Sequence, residues 1–297
     1  MNLPRELVKH VTEGLGDAGK RWVESVPELI RRLETLWDVR VETPFDAGEF
    51  NFVAPASRGD EIFIIKIAPP YVDGECYAEA AFLQHHDGRG CVKLLDQDID
   101  ARAMLLERAV PGRNLSEEFA GRELECIVPA IEVLKNIQGP PPRDEKDVIS
   151  LDKWFSNLKR AAGSDFPAEY AARALRFYDE LTSHTSAVYL HGDFHPGNVV
   201  TATREPYLAI DPKGIVGCVG YDIAVFLTNL HWWQADKPDV VARLDTAIGQ
   251  FSDAFEISET DLRKWAYASQ VLGAWWTFDE MPALYSGGVV KADIWDV

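Results

Sequence analysis

Val188-Tyr189-Leu190-His191-Gly192-Asp193-Phe194-His195-Pro196-Gly197-Asn198, followed by Tyr207-Leu208-Ala209-Ile210-Asp211-Pro212-Lys213-Gly214, is the stretch whose reading decides the fold. Each run opens on a short apolar segment, which predicts strands over 188–190 and 207–210. Each then breaks into Gly, Asp and Pro, residues that turn the backbone. Asp193 and Asn198 stand five apart in the first loop, and Asp211 closes the second strand. Before this stretch, β-branched and aromatic residues predict strands over 39–42, 50–54, 61–68, 92–96 and 103–107. A turn is expected at Ser57-Arg58-Gly59-Asp60 and a helix over 77–86. Leu29, Leu33, Leu36 and Trp37 predict a helix near the start, with Pro27 in its first turn. After residue 115 the pattern is helical over 123–137, 167–182 and 270–280, and helix-rich from Asp222 onward. The plan is α+β, in two lobes: residues 1–108, β-rich behind a first helix, and residues 109–297, helical with a small β insert.

The two loops carry side chains suited to phosphoryl transfer. That chemistry needs a carboxylate to orient an acceptor hydroxyl and take its proton. It also needs oxygen ligands for magnesium and a lysine for the phosphate oxygens. Asp193, Asn198 and Asp211 suit the first two tasks. An Asp followed five residues later by a metal-binding Asn is the spacing of a kinase catalytic loop. A His-Gly-Asp alone reads equally as a turn, but coincidence with Asn198 and Asp211 makes that reading poor. Lys66 follows Ile62-Phe63-Ile64-Ile65, a strand expected to be buried on both faces, where charges are usually paired.

The loop His191 to Asn198 resembles the H-G-D-x-H-x-x-N motif of the aminoglycoside phosphotransferase superfamily, and Ile210-Asp211 its magnesium-binding segment. The run Ala209-Ile210-Asp211-Pro212-Lys213-Gly214, with Gly220-Tyr221-Asp222, resembles the narrower streptomycin 6-kinase (aminoglycoside/hydroxyurea resistance kinase) branch. The resemblance covers residues 40 to 230 and implies a protein-kinase-like bilobal fold that uses ATP and Mg2+. It implies that Asp193 is the catalytic base and that Asn198 and Asp211 bind the metal. Lys66 would contact the nucleotide phosphates and Glu79 would pair with it, with Glu75, one helical turn earlier, as the competitor. Backbone groups of Glu107 and Ala109 would meet adenine at a hinge. A phosphate loop over residues 45–51 would use backbone N–H groups from Gly48 on, although it is poorer in glycine than a kinase flap. His191 and His195 would shape the catalytic loop, and Asp222 would buttress it. Lys213 is open between phosphate, a loop carboxylate and solvent.

The chain has 297 residues, 30 Lys+Arg and 48 Asp+Glu, a net charge of −18 that argues against coating nucleic acid. No apolar run is long enough to span a bilayer, and the start lacks an apolar signal region, so the protein reads as cytoplasmic. Four scattered cysteines read as reduced thiols. The acidity suits solubility or a cationic small-molecule acceptor. On the resemblance the acceptor is streptomycin or a related aminoglycoside, with Asp279 and Glu280 as candidate guanidinium ligands. The same chemistry on hydroxyurea or a metabolic sugar or amino alcohol is the alternative. An idle ATP-binding regulator and an antibiotic-sequestering protein are the readings from other classes. A monomer or a homodimer is expected. Trp232-Trp233 and Trp275-Trp276 lie on expected helices, where adjacent side chains diverge by about 100° and only one of each pair can face a given pocket.

Overall fold

A computed structural model of the chain describes residues 3–46, 50–71, 74–142, 148–280, 288–295 and 297. Helix α1 (Arg5–Trp37) leads into a five-stranded antiparallel sheet made of β1 (Arg40–Val41), β2 (Phe52–Arg58), β3 (Glu61–Ile67), β4 (Leu94–Asp98) and β5 (Ala103–Glu107), in the order β1-β2-β3-β5-β4. Helix α2 (Glu75–His86) separates β3 from β4. The expected five strands are present with ends moved by a few residues. Ser57 and Arg58 belong to β2, so the turn narrows to Gly59 and Asp60.

The first helix corrects the sequence reading. Pro27 lies inside α1 rather than in its first turn, and the helix starts 22 residues before it, at Arg5. Gly16 sits within it at φ 55° and breaks the helical backbone there. The buried stripe is Leu7, Val11, Trp22, Val26, Ile30, Leu33 and Trp37, whereas Leu36 is exposed. That stripe packs with Phe63, Ile65 and Ile67 of β3 in one apolar cluster. Side chains alternate along a strand, so Ile64 and Lys66 face the other way, toward α2.

The rest of the chain is mainly helical. It comprises α3 (Leu115–Glu118), α4 (Ile127–Ile137), α5 (Leu151–Asn157), α6 (Ala168–Thr182), α7 (Gly220–Gln234), α8 (Val240–Phe255) and α9 (Glu259–Glu280). Short strands lie among them: β6 (Ile149–Ser150), β7 (Val188–Leu190), β8 (Val199–Thr201), β9 (Tyr207–Ala209) and β10 (Ile215–Gly217). β8 and β9 form a hairpin, and β7 pairs with β10. One apolar cluster runs from Phe82 and Met104 in the first part into α7 and α9. Cys91, Cys126 and Cys218 are free thiols. Among the described residues no helix is long and apolar enough to cross a membrane.

Candidate active site

β7 ends at Leu190, and the next two backbone amides are held from α7. The N–H groups of His191 and Gly192 donate to the Asp222 carboxylate at 2.9 and 2.7 Å. Burial pushes that carboxyl up to about 7, against the pull of the two N–H donors. Gly192 takes φ 82°, and a Cβ there would lie 3.0 Å from the Lys213 side chain, so the position needs glycine. His191 is fully buried; its Nε2 donates to the Ile210 carbonyl at 2.9 Å and its Nδ1 accepts from the Asp193 N–H at 3.3 Å. One ring thus ties the Asp193 loop to the strand that delivers Asp211. Burial drives its pKa down to about 3, so the imidazole stays neutral.

The loop closes on itself through Asn198. Its Nδ2 donates to the Asp193 carbonyl at 3.0 Å and the Asp193 carboxylate at 3.4 Å. His195 Nδ1 accepts from the Gly197 N–H at 3.0 Å, and His195 Nε2 stands 3.8 Å from the Asp193 carboxylate. His191, His195 and Asp222 therefore all shape this loop. Burial pushes Asp193 up, opposed by His195 and Lys213.

Lys66 reaches the same place from β3. Its Nζ is 2.6 Å from Glu79 Oε2 and also contacts Asp211 Oδ1. Burial pulls its pKa down, but the two carboxylates outweigh that and hold it raised and charged. Asp211 is pushed up by burial, yet Lys66 and Lys213 hold it well below the usual carboxylate range. Glu79 is thus the partner of Lys66. Glu75 takes Lys213 instead, at 2.9 Å, which resolves Lys213 as a carboxylate-bound group beside Asp211 and Asp193. Sequence reasoning left this second pair open. Gly214 shows why the run ends in glycine: φ is 57°, and a Cβ would lie 2.4 Å from the Ala78 carbonyl oxygen of α2. The chain after Asp211 is pressed against the helix that carries Glu79.

Glu107 ends β5, and its carboxylate is taken by Arg204 at 2.9 Å to each oxygen and by the Lys93 N–H at 3.0 Å. The Glu107 N–H donates to the Lys93 carbonyl at 2.9 Å, so of the expected adenine contacts its carbonyl and the Ala109 backbone remain. Gly48 lies outside the described residues. Glu280 ends α9, with its side chain likewise outside them. Asp279 is ion-paired with Arg160 at 2.9 Å and does not line the cavity next to Asp193.

That cavity, about 360 Å³, is walled by α7 and α9, with Gly192, Asp193 and Tyr221 at the catalytic loop. Trp232 and Trp276 line it, one from each adjacent tryptophan pair. Thr228, Asn229 and Gln270 line it too and were not anticipated. Their signal was polar residues inside otherwise apolar helices. Among the described residues no three His, Cys, Asp or Glu side chains group as metal ligands. The Asp211 carboxylate with the Asn198 amide oxygen still fits magnesium, which takes few protein ligands and fills its shell from phosphates and water.

The aminoglycoside/hydroxyurea antibiotic resistance kinase family matches residues 52–280. The chain belongs to that family. A hydroxyurea phosphotransferase from Kitasatospora aureofaciens is 31% identical over 237 residues, covering 77% of this chain and 68% of its own. A streptomycin 6-kinase from Streptomyces glaucescens is 26% identical, covering 94% of this chain and 92% of its own. A choline/ethanolamine kinase family protein from Mesorhizobium loti superposes with TM-score 0.66 at 12% identity, over 92% and 94% of the two chains. A thermostable variant of aminoglycoside phosphotransferase APH(4)-Ia, solved with AMP-PNP and hygromycin B, gives 0.62 at 14%, over 91% and 97%. The fold is protein-kinase-like, with a β-sheet N-terminal part and a helical C-terminal part, and the protein is a small-molecule kinase.

Proposed function

We propose that this kinase moves the γ-phosphate of ATP to a hydroxyl of a small molecule held in the cavity beside Asp193. The observation that carries the reading is the convergence of Lys66 on Asp211, and of Asn198 on Asp193, with His191 tying the two loops together beside a cavity that Asp193 lines. Asp193 orients the acceptor hydroxyl and takes its proton as the oxygen bonds to phosphorus and the bond to ADP breaks. Lys66 places fixed positive charge for the phosphate oxygens. Asn198 and Asp211 would hold Mg2+, which would supply positive charge against the phosphates. Glu79 keeps Lys66 extended, and backbone groups of Glu107 and Ala109 meet adenine.

The relatives' names offer two acceptors, streptomycin and hydroxyurea. The cavity favours a compact neutral acceptor such as hydroxyurea or a sugar over the cationic one. Among its described lining residues Asp193 is the only charged group, and its volume is at the low end for ligand sites. The Asp279 carboxylate, a candidate for a guanidinium, is occupied by Arg160.

The test is mass spectrometry of products formed with MgATP from streptomycin, other aminoglycosides, hydroxyurea, sugars and amino alcohols. One acceptor should gain a single phosphate. Asp193→Asn should slow its formation by at least about 10²–10⁴-fold. Asp211→Asn should abolish most activity, with part of it recovered at high Mg2+. An Asp193→Asn protein as active as wild type would sink the assignment.

A further inference from the structure

Gln270 lines the acceptor cavity together with Asp193. The residue is only 7% exposed, and its Oε1 has no hydrogen-bond partner. A buried amide oxygen left without a donor is destabilising, and native proteins rarely keep one without a use. Oε1 itself is closed off in this structure, but the terminal torsion is soft, and a turn of the amide would bring it to the cavity. Nearby donors are already engaged within their own helices. Thr228 Oγ1 and Asn229 Nδ2 both donate to the Val225 carbonyl, at 3.0 and 2.9 Å, and Thr277 Oγ1 donates to the Gly273 carbonyl at 3.1 Å. A donor on a molecule that enters the cavity would supply the missing bond.

We infer that Gln270 recognises the acceptor by accepting a hydrogen bond from a second O–H or N–H group, distinct from the hydroxyl that is phosphorylated. The inference rests on the phosphotransfer proposed at Asp193 and narrows its acceptor. The molecule is compact and neutral, and it carries at least two donors. The indoles of Trp232 and Trp276 supply apolar walls for its body. The Lys291 ammonium lies 3.2 Å from the Trp232 ring centroid, so that indole face already holds a cation. A cationic acceptor would meet this charge with Asp193 as the only carboxylate among the described lining residues. Hydroxyurea, with N–H groups beside its hydroxyl, fits the requirement, as does a cyclitol. Choline has one hydroxyl and nothing further to donate. It would leave Gln270 unpaired, and a site built around a hydrogen bond rejects such an analogue strongly.

Gln270→Met keeps the side-chain length and removes the amide. Two measurements on it decide the question. The first is a thermal melt of the ligand-free protein. The variant should melt at or above wild type, because an unpaired buried oxygen has been replaced by an apolar group. A clear fall would show that Oε1 is satisfied within the fold and would overturn the inference. The second is steady-state phosphorylation of hydroxyurea, myo-inositol, streptomycin and choline with MgATP. For the acceptor that wild type uses best, kcat/KM should drop by about 10-fold, carried by KM rather than kcat. An unchanged KM, or choline as the best wild-type acceptor, overturns the assignment of Gln270 alone. Product from none of the four overturns the phosphotransfer reading and the acceptor class with it.

Discussion

At the residue scale, His191 is the joint of the site, since a neutral ring bonds both the Asp193 backbone and the Ile210 carbonyl. Its pKa is about 3 in the fold, against about 6.5 for a free imidazole. The unfolded chain therefore takes up a proton below pH 6.5 that the folded chain refuses. The stability from this group is complete above pH 6.5 and is lost as pH falls toward 3. Between pH 7 and 5 the loss should be about 2 kcal/mol. The Asp222 carboxyl, raised to about 7, gains a proton and stability over the same range, so the difference between proteins is the readout. In urea unfolding, wild-type stability should change less favourably than that of His191→Gln by this amount on going from pH 7 to 5. An equal pH dependence in the two would reject the neutral buried ring. The residues proposed to do the chemistry could be picked out in the sequence because their spacing is imposed by what they would hold together. Asp193, Asn198 and Asp211 are short, polar and fixed by tight turns, and so is Gly192. Gln270 was not legible, because its role comes from a partner missing in three dimensions, which no spacing records.

At the element scale, legibility followed amphipathicity. Strand β5 and helix α6 each bury one side or a simple run and were placed within a residue of their ends. Helix α9 was read only from residue 270, although it starts at Glu259. Trp265, Ala266, Tyr267 and Ala268 are all buried, and a helix covered on every side shows no apolar stripe. The close approach of Gly214 to α2 was also invisible, because it is made by backbone. Gly214 lets that contact form, and its substitution tests how tightly the two elements are coupled. Gly214→Ala combines a positive φ with a Cβ 2.4 Å from the Ala78 carbonyl, a backbone atom that cannot swing aside. The cost should exceed about 1 kcal/mol. The displaced α2 should also loosen Glu79 from Lys66 and lower kcat. Calorimetry and steady-state rates measure both effects. A fall in melting temperature with full kcat would show that the helix position and the Lys66 geometry are independent.

At the scale of the whole molecule, the net charge of −18 matters for what approaches the cleft. The site does not reverse it: among the described residues Glu75, Glu79, Asp193 and Asp211 stand around Lys66 and Lys213, four carboxyl groups against two ammonium groups. In the proposed reaction MgATP, an anion, enters against this field. Salt screens such repulsion over distances beyond about 10 Å at 0.1 M. Raising NaCl from about 20 to 200 mM should therefore increase kcat/KM for MgATP, by about 2-fold or more. The acceptor supplies the contrast. A neutral acceptor feels no net force, so its kcat/KM at saturating MgATP should stay flat over the same range. A polycation such as streptomycin would be drawn in at low salt and lose kcat/KM as salt rises. The two salt profiles, measured on one preparation, report the sign of each substrate's charge as the protein meets it. An acceptor profile that falls steeply would mean that carboxylates outside the described lining reach the acceptor, and it would return the cationic aminoglycoside to first place.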